Sequence, residues 1–484
     1  MFKWRFQNLD PADLLSIHDA SLRILRDTGV LIPHPEFAEL LVAAGARSES
    51  AQPIVHLSEA LVMNAIQGAG KQYVLHGRDG STVARFGHGE LSLLSSPGQS
   101  TWLDWHTGQM RPATRDDTRE AIHLADSLSN ISIVGALAQP ADIDPDYREL
   151  WLTATLLKGT RKPSRTWVSN VASARGILEL YRTVSGGAAA LRARPMSEGF
   201  LTPISPLQFP SEGLEVVREF VRAGQPVCIA SMPMSAGTAP ATLAGALALC
   251  NAEILAGVVI TQLIGPGTPM LYGGIPHILD PRSTLCSFGA PEQALMATAM
   301  TQLGRHYGFP VYINVGLTDA NSLDAQAGIE KGSTLALGAL AGADLFGHAG
   351  ICGADHGASL LWLCADHELM SYVKRLARGF EIDADTLATD IIAAVKPGGH
   401  FLTQDHTLDH FRQELWSPSA VWNRQSFTSW EAAGKTTFTD RLRSEIQRLL
   451  SAPQSAALEP ALARELDQIV TSASHCSGFP ASPA

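Results

Sequence analysis

Apolar and polar positions change their period along this chain. From Pro11 onward apolar residues recur at helical spacing: Asp10 can cap a first helix, Pro11 suits its first turn, and Leu15, Leu22 and Leu25 share a face before Gly29 ends it. Further helices are predicted over 35–44 and 58–67. From Tyr73 to Arg111 the pattern turns to short strands separated by glycine turns, and Thr114 opens another helix with Asp116 and Asp117 in its first turn. From Ile131 apolar runs alternate with helical stretches. The runs are 131–137, 165–169, 199–204, 226–231, 269–273, 311–315 and 344–347, with 359–364 as an eighth candidate. The helical stretches between them are 147–157, 172–184, 211–222, 239–258, 291–307 and 322–340. Such a series predicts a (β/α)8 TIM barrel, with an open doubly wound sheet as the alternative. No Gly-x-Gly-x-x-Gly follows the first run, which weakens a nucleotide-binding version.

The predicted organisation is an N-terminal helical segment (1–72), a small β-sheet plus helix (73–130), the barrel (131–365), a helical extension (366–470) and a flexible tail (471–484). The stretch 309–350 is the most informative. One apolar run ends in the polar turn Thr318-Asp319, and the next ends in His348 between glycines, Gly347 and Gly350 lying close by. Parallel βα units present chemistry at such strand ends.

Composition narrows the function. The 484 residues are 45% hydrophobic and 17% charged, so the chain is globular. A net charge of −11 without a basic cluster argues against nucleic acid. The six cysteines form no CxxC pair and read as reduced thiols of a cytoplasmic protein. The longest apolar run, 241–264, is interrupted by Asn251, Glu253 and Gln262 and reads as a buried helix rather than a membrane span. His356, His367, His400, His406 and His410 show no paired spacing such as His-Glu-x-x-His, so no metal site is predicted.

Several motifs, in order, carry a family resemblance. They are Ile17-His18-Asp19 through Val30, His76-Gly77-Arg78-Asp79, Asp104 to Asp117, and Asn251 to Gly257. Later come Tyr272-Gly273-Gly274, Thr318-Asp319 with Asp324 to Gly328 and Glu330, and Pro397-Gly398-Gly399-His400-Phe401-Leu402 with His406-Thr407. Over 17–470 the chain resembles the trimethylamine methyltransferase superfamily, and among its members those lacking pyrrolysine, because every position here is an ordinary residue. The resemblance implies a TIM barrel with extra terminal helices. It also implies methyl transfer from a quaternary amine such as glycine betaine to the Co(I) corrinoid of a separate corrinoid protein. No cofactor would then be tightly bound to this chain, and a homo-oligomer is expected. His400 and His406, in a family-like motif, are candidates for the corrinoid-protein interface.

A quaternary ammonium leaves as a neutral tertiary amine, so no acid need protonate it. The enzyme has to bind the cation, aim the N–CH3 bond and exclude water. Aromatic faces suit this, at roughly 0.5–2 kcal/mol each. The catalytic candidates are His348 and Asp319. The substrate-binding candidates are Tyr272, His277, Tyr312, Asn314 and Phe346, the last expected on the same side as His348. For each a packing role competes: a satisfied core histidine, a helix cap or loop tie for Asp319, a core ring for Tyr272, Tyr312 and Phe346, and a loop-shaping role for His277. Trp102 and Trp105 read as packing residues of the small sheet. Two other functions compete: a barrel enzyme using His348 and Asp319 as acid and base, and a non-catalytic quaternary-amine binding protein.

Overall fold

A computed structural model describes residues 5–49, 52–454 and 458–476. Seven short strands form a parallel sheet: β1 (Ser92–Ser95), β2 (Ile131–Ile133), β3 (Gly199–Leu201), β4 (Val227–Ser231), β5 (Met270–Gly274), β6 (Val311–Ile313) and β7 (Leu345–Ala349). Their order across the sheet is β3-β4-β5-β6-β7-β1-β2, and every neighbouring pair is parallel. Beyond β2 the chain adds one parallel bridge, Val134 with Ser164. Val134 N donates to the Pro163 carbonyl at 2.9 Å, and Arg165 N to that of Val134 at 3.0 Å. No ladder joins 163–166 to β3 among the described residues. Side chains cross that gap instead: Arg165 ion-pairs with Glu198, to which the Tyr73 hydroxyl also donates. The sheet is therefore curled and incomplete rather than the closed eight-stranded barrel expected.

Three strand assignments change. Ser92–Ser95 was expected in the small sheet but lies in the central one, between Leu345–Ala349 and Ile131–Ile133. The eighth candidate, 359–364, is the start of helix Leu360–Arg378, with the Ser359 hydroxyl accepting from Leu361 N at 3.3 Å. A short apolar run does not reveal its own period, and a serine before it suits a helix start as well as a strand. The predicted run 165–169 forms no strand, and the bridge at Ser164 lies just before it. The small sheet itself pairs Thr101–Leu103 with Met110–Arg111 and Gly357–Ala358, and Trp102 and Trp105 are buried in the core.

Strand alternation sorts side chains into two layers. Val227, Ile229, Met270, Tyr272, Val311, Ile313 and Phe346 face the surrounding helices. Cys228, Ala230, Leu271, Tyr312 and Leu345 face inward, over Tyr73, Leu75, Ala84 and Phe86 of the hairpin Tyr73–His76/Val83–Phe86. That hairpin fills one end of the interior, and the strand C-termini open at the other. Helix Leu243–Ile264 is long and apolar enough for a membrane span by composition, but most of it is buried against the sheet and other helices. Its Asn251 accepts from the Tyr272 hydroxyl at 2.8 Å and donates to Ser21 and Tyr307 at 2.9 Å each. This network ties helix Pro11–Arg23, capped by Asp10, to the back of the sheet.

A buried ion pair joins β6 to β7. Lys331, with no exposed surface, sits 3.0 Å from Asp366 and donates to the Gly316 carbonyl at 3.1 Å. Asp366 in turn accepts from Gly350 N at 2.8 Å. After Arg378 the chain is helical in short pieces. Helix Pro460–Cys476 runs past the predicted boundary at Val470, and the rest of the expected tail, 477–484, lies outside the described residues.

Candidate functional site

Four aromatic side chains close a ring within the curl of the sheet. The ring centroids of Trp167 and Phe200 are 5.4 Å apart, of Phe200 and Tyr312 6.5 Å, of Tyr312 and His348 6.3 Å, and of His348 and Trp167 5.6 Å. Each ring meets two others, edge-on or tilted, as aromatic quadrupoles prefer. Phe200 lies in β3, Tyr312 in β6 and His348 in β7, while Trp167 follows the bridged segment. Trp167 is anchored by its indole N–H, which donates to the Gly98 carbonyl at 3.2 Å.

His348 reaches this ring because β7 is irregular. Its pairing with β1 shifts register between Phe346 and Ala349. Regular alternation would put Phe346 and His348 on one side, but the bulge re-aims the histidine. Phe346 packs outward against the Gly338 turn of helix Ala325–Ala341. His348 Nε2 instead lies 3.2 Å from the Tyr312 hydroxyl. Gly347 makes the approach possible, since a Cβ there would sit 2.8 Å from Tyr312 Oη. Burial, then the charges of Arg165 and His277, hold the His348 pKa down at about 3, so the ring is neutral at pH 7.

Arg165 and Glu198 lie next to this ring. The guanidinium sits 5.2 Å from the Phe200 centroid and 6.0 Å from that of Tyr312, and it is ion-paired to Glu198. Asp355 brings the opposite charge: burial pushes its pKa up to about 6, and a hydrogen bond from Gln99 opposes that shift. Ala354 and Asp355 both adopt left-handed backbone, φ 51° and 68°, a conformation that is strained away from glycine and recurs at functional sites.

The other candidates divide. Asn314 is buried and its Oδ1 has no hydrogen-bond partner; nor has Oε1 of Gln293, whose amide donates to the Asn314 carbonyl at 2.5 Å. Buried acceptors normally find a partner, so these two oxygens are open to a ligand or to water. His277 is fully used. Its Nδ1 pairs with the Ile275 carbonyl at 2.7 Å and its Nε2 with the Gln293 amide at 2.8 Å, so it pins the loop after β5 to helix Pro291–His306. Tyr272 lies on the helix-facing side, bonded to Asn251, and Phe346 lies there too; neither can wall a pocket inside the sheet. Asp319 accepts from Ser287 Oγ and, at 2.6 Å, from Phe288 N. It ties a loop and lines a separate cavity of about 420 Å3 with Ser287, Asn321 and His356. Sequence reasoning missed Trp167, Phe200, Arg165 and Asp355. Arg165, Trp167 and Phe200 did lie in predicted strands, and that was the signal available.

His277 makes pH a readout of this architecture. Burial lowers its pKa from the ordinary 6.5 to about 4, so the unfolded chain binds the proton more readily than the folded one between those values. The resulting stability is present above about pH 6.5 and lost as pH falls towards about 4. Asp355 works in the opposite sense, so the test is a difference. His277→Gln is expected to flatten the fall in denaturation midpoint between about pH 7 and pH 5 relative to the parent.

The chain is similar to known proteins over nearly its whole length. The family described as trimethylamine methyltransferase (MTTB) matches residues 3–475. A trimethylamine methyltransferase MttB of Desulfitobacterium hafniense (strain DSM 10664 / DCB-2) is 31% identical, over 95% of this chain and 92% of the relative. A glycine betaine methyltransferase of D. hafniense (strain Y51) is 30% identical, over 96% of this chain and 97% of the relative. The crystal structure of a hydroxylamine MtmB complex superposes with a TM-score of 0.50 at 14% identity, covering 92% of this chain and 96% of that one. With the family matched over nearly its whole length and two relatives aligned end to end, the chain belongs to the trimethylamine methyltransferase (MTTB) family.

Proposed function

We propose that this protein transfers a methyl group from a quaternary amine of the glycine betaine class to the Co(I) corrinoid of a separate partner protein. The observation that carries this reading is the closed ring of Trp167, Phe200, Tyr312 and His348. The curled sheet would serve as an incomplete (β/α)8 barrel whose strand ends form the mouth, with the corrinoid protein docking over it. The chain itself would work in the cytoplasm as a homo-oligomer.

The aromatic faces hold the trimethylammonium head by cation–π attraction. Asn314 Oδ1 and Gln293 Oε1, both unpaired acceptors, take polarised N–CH3 hydrogens. Arg165, Glu198 and Asp355 make the lining zwitterionic, which suits a zwitterionic betaine. The corrinoid supplies the nucleophile that accepts the methyl group. No residue here need donate a proton, because the amine departs neutral, and the neutral His348 agrees with that. Its part is to close the wall and hold Tyr312. The reading of His348 and Asp319 as an acid–base pair loses support, because the Asp319 carboxylate is occupied by Ser287 and Phe288.

The test is a panel of glycine betaine, proline betaine, carnitine and trimethylamine, offered with a Co(I) corrinoid protein and followed by the corrinoid's visible spectrum. Methylation by at least one quaternary amine, and none by trimethylamine, is expected. Turnover without corrinoid, or binding with no methylation by any compound, would sink the proposal.

A further inference from the structure

The helical pieces after Arg378 present a cluster far in sequence from the aromatic ring. His406 and His410 stand one turn apart on helix Asp405–Glu414, so their side chains share a face. Their rings are 4.2 Å apart and tilted by 31°. Asp385, on helix Ala384–Leu387, meets both: its Oδ2 lies 3.2 Å from His410 Nε2, and its backbone carbonyl lies 3.1 Å from His406 Nε2. One ligand atom from each residue falls within 4.8 Å of the others. Among the described residues this is the one such convergence of three metal-ligating side chains. It borders a cavity of about 420 Å3 that Thr389, Asp390 and Asp409 also line.

We propose that Asp385, His406 and His410 bind a zinc ion that fastens helix Ala384–Leu387 to helix Asp405–Glu414. Three observations converge on it. First, although the full His-Glu-x-x-His motif is absent, His406 and His410 have its four-residue histidine spacing, which the expectation of no metal site passed over and which presents both imidazoles to a single metal, as helical zinc sites do. Second, two nitrogens and one carboxylate oxygen suit zinc better than magnesium or calcium, which favour all-oxygen shells. Zinc–ligand bonds of about 2.0–2.1 Å place tetrahedral donors roughly 3.3 Å apart, so side-chain rotation has to draw the three together by about 1 Å or more at the widest pair, and water takes the fourth position. Third, the segment has no core of its own: among the described residues only the C-terminal end of helix Asp405–Glu414 is tied to helix Leu360–Arg378, where Arg375 and Arg378 donate to the Glu414 and Gln413 carbonyls. Helices Ala384–Leu387, Thr389–Val395 and Asp405–Glu414 bury none of their residues, and Leu387, Ile392, Leu408 and Leu415 are exposed. Without a core, small elements are held by metals or disulfides, and an exposed His–Asp pair contributes little alone.

The experiment uses the full-length protein, stripped with chelator and then given zinc chloride. One zinc per chain by native mass spectrometry is expected, together with slower hydrogen exchange across 384–414, by about tenfold or more. His406→Gln/His410→Gln and, separately, Asp385→Asn should lose both effects. All three positions lie at the surface, so the variants should stay folded by circular dichroism. Zinc binding that survives the double substitution, or no zinc retained by the parent protein, would overturn the proposal.

Discussion

His348→Ala is expected to lower kcat/KM for corrinoid methylation on the order of 100-fold while the protein remains folded. The substitution opens the ring between Trp167 and Tyr312, rings that His348 meets at 5.6 and 6.3 Å. It also removes the partner 3.2 Å from the Tyr312 hydroxyl. One lost aromatic face contributes roughly 0.5–2 kcal/mol. The larger part comes from orientation, because a misplacement of about 1 Å between donor methyl and acceptor costs on the order of 100-fold. His348→Gln keeps a polar partner for Tyr312 without the ring and should recover only part of the loss. Trp167→Leu separates cation–π attraction from plain burial: it should raise KM by roughly 2- to 30-fold, the ratio equivalent to about 0.5–2 kcal/mol. Steady-state kinetics with the best quaternary amine measures all three. Unchanged kinetics in His348→Ala would return that residue to a packing role and remove the main support for the site.

The second large effect is on stability. Lys331→Met should destabilise the fold by about 3–5 kcal/mol, because it leaves Asp366 charged and buried without its partner. The pair contacts Gly316, just past β6, and Gly350, just past β7, so the loss falls on the two strands that carry Tyr312 and His348. Lys331→Met combined with Asp366→Leu should regain most of the stability, since a buried pair replaced by apolar groups is often neutral. Urea denaturation of the parent, the single and the double variant measures this. Equal destabilisation by single and double variants would mean that packing volume, and not charge, governs the site.

Much of this architecture is legible before folding. The βα alternation places six central strands within a few residues of their observed bounds at 131–133, 199–201, 227–231, 270–274, 311–313 and 345–349, because buried parallel strands read as short apolar runs between helical stretches. His348 was visible as a strand-end polar group and Tyr312 as a strand residue sharing a face with Asn314, and the whole-chain resemblance agreed with the family match over 3–475.

What the sequence alone determined, then, is the succession of elements and the residue types at their ends. Which face each residue occupies was settled in three dimensions. Alternation offers two sides without saying which is inside, so Tyr272 went to the helices and Tyr312 inward. The β7 bulge reversed the relation of Phe346 and His348. Ser92–Ser95 became a central strand only by pairing with Leu345–Ala349, some 250 residues away in sequence, an order set by chain topology. The site is the sum of these choices. Trp167, Phe200, Tyr312 and His348 share no local motif, and they meet because the curl of the sheet brings three strands and the segment after Ser164 around one point.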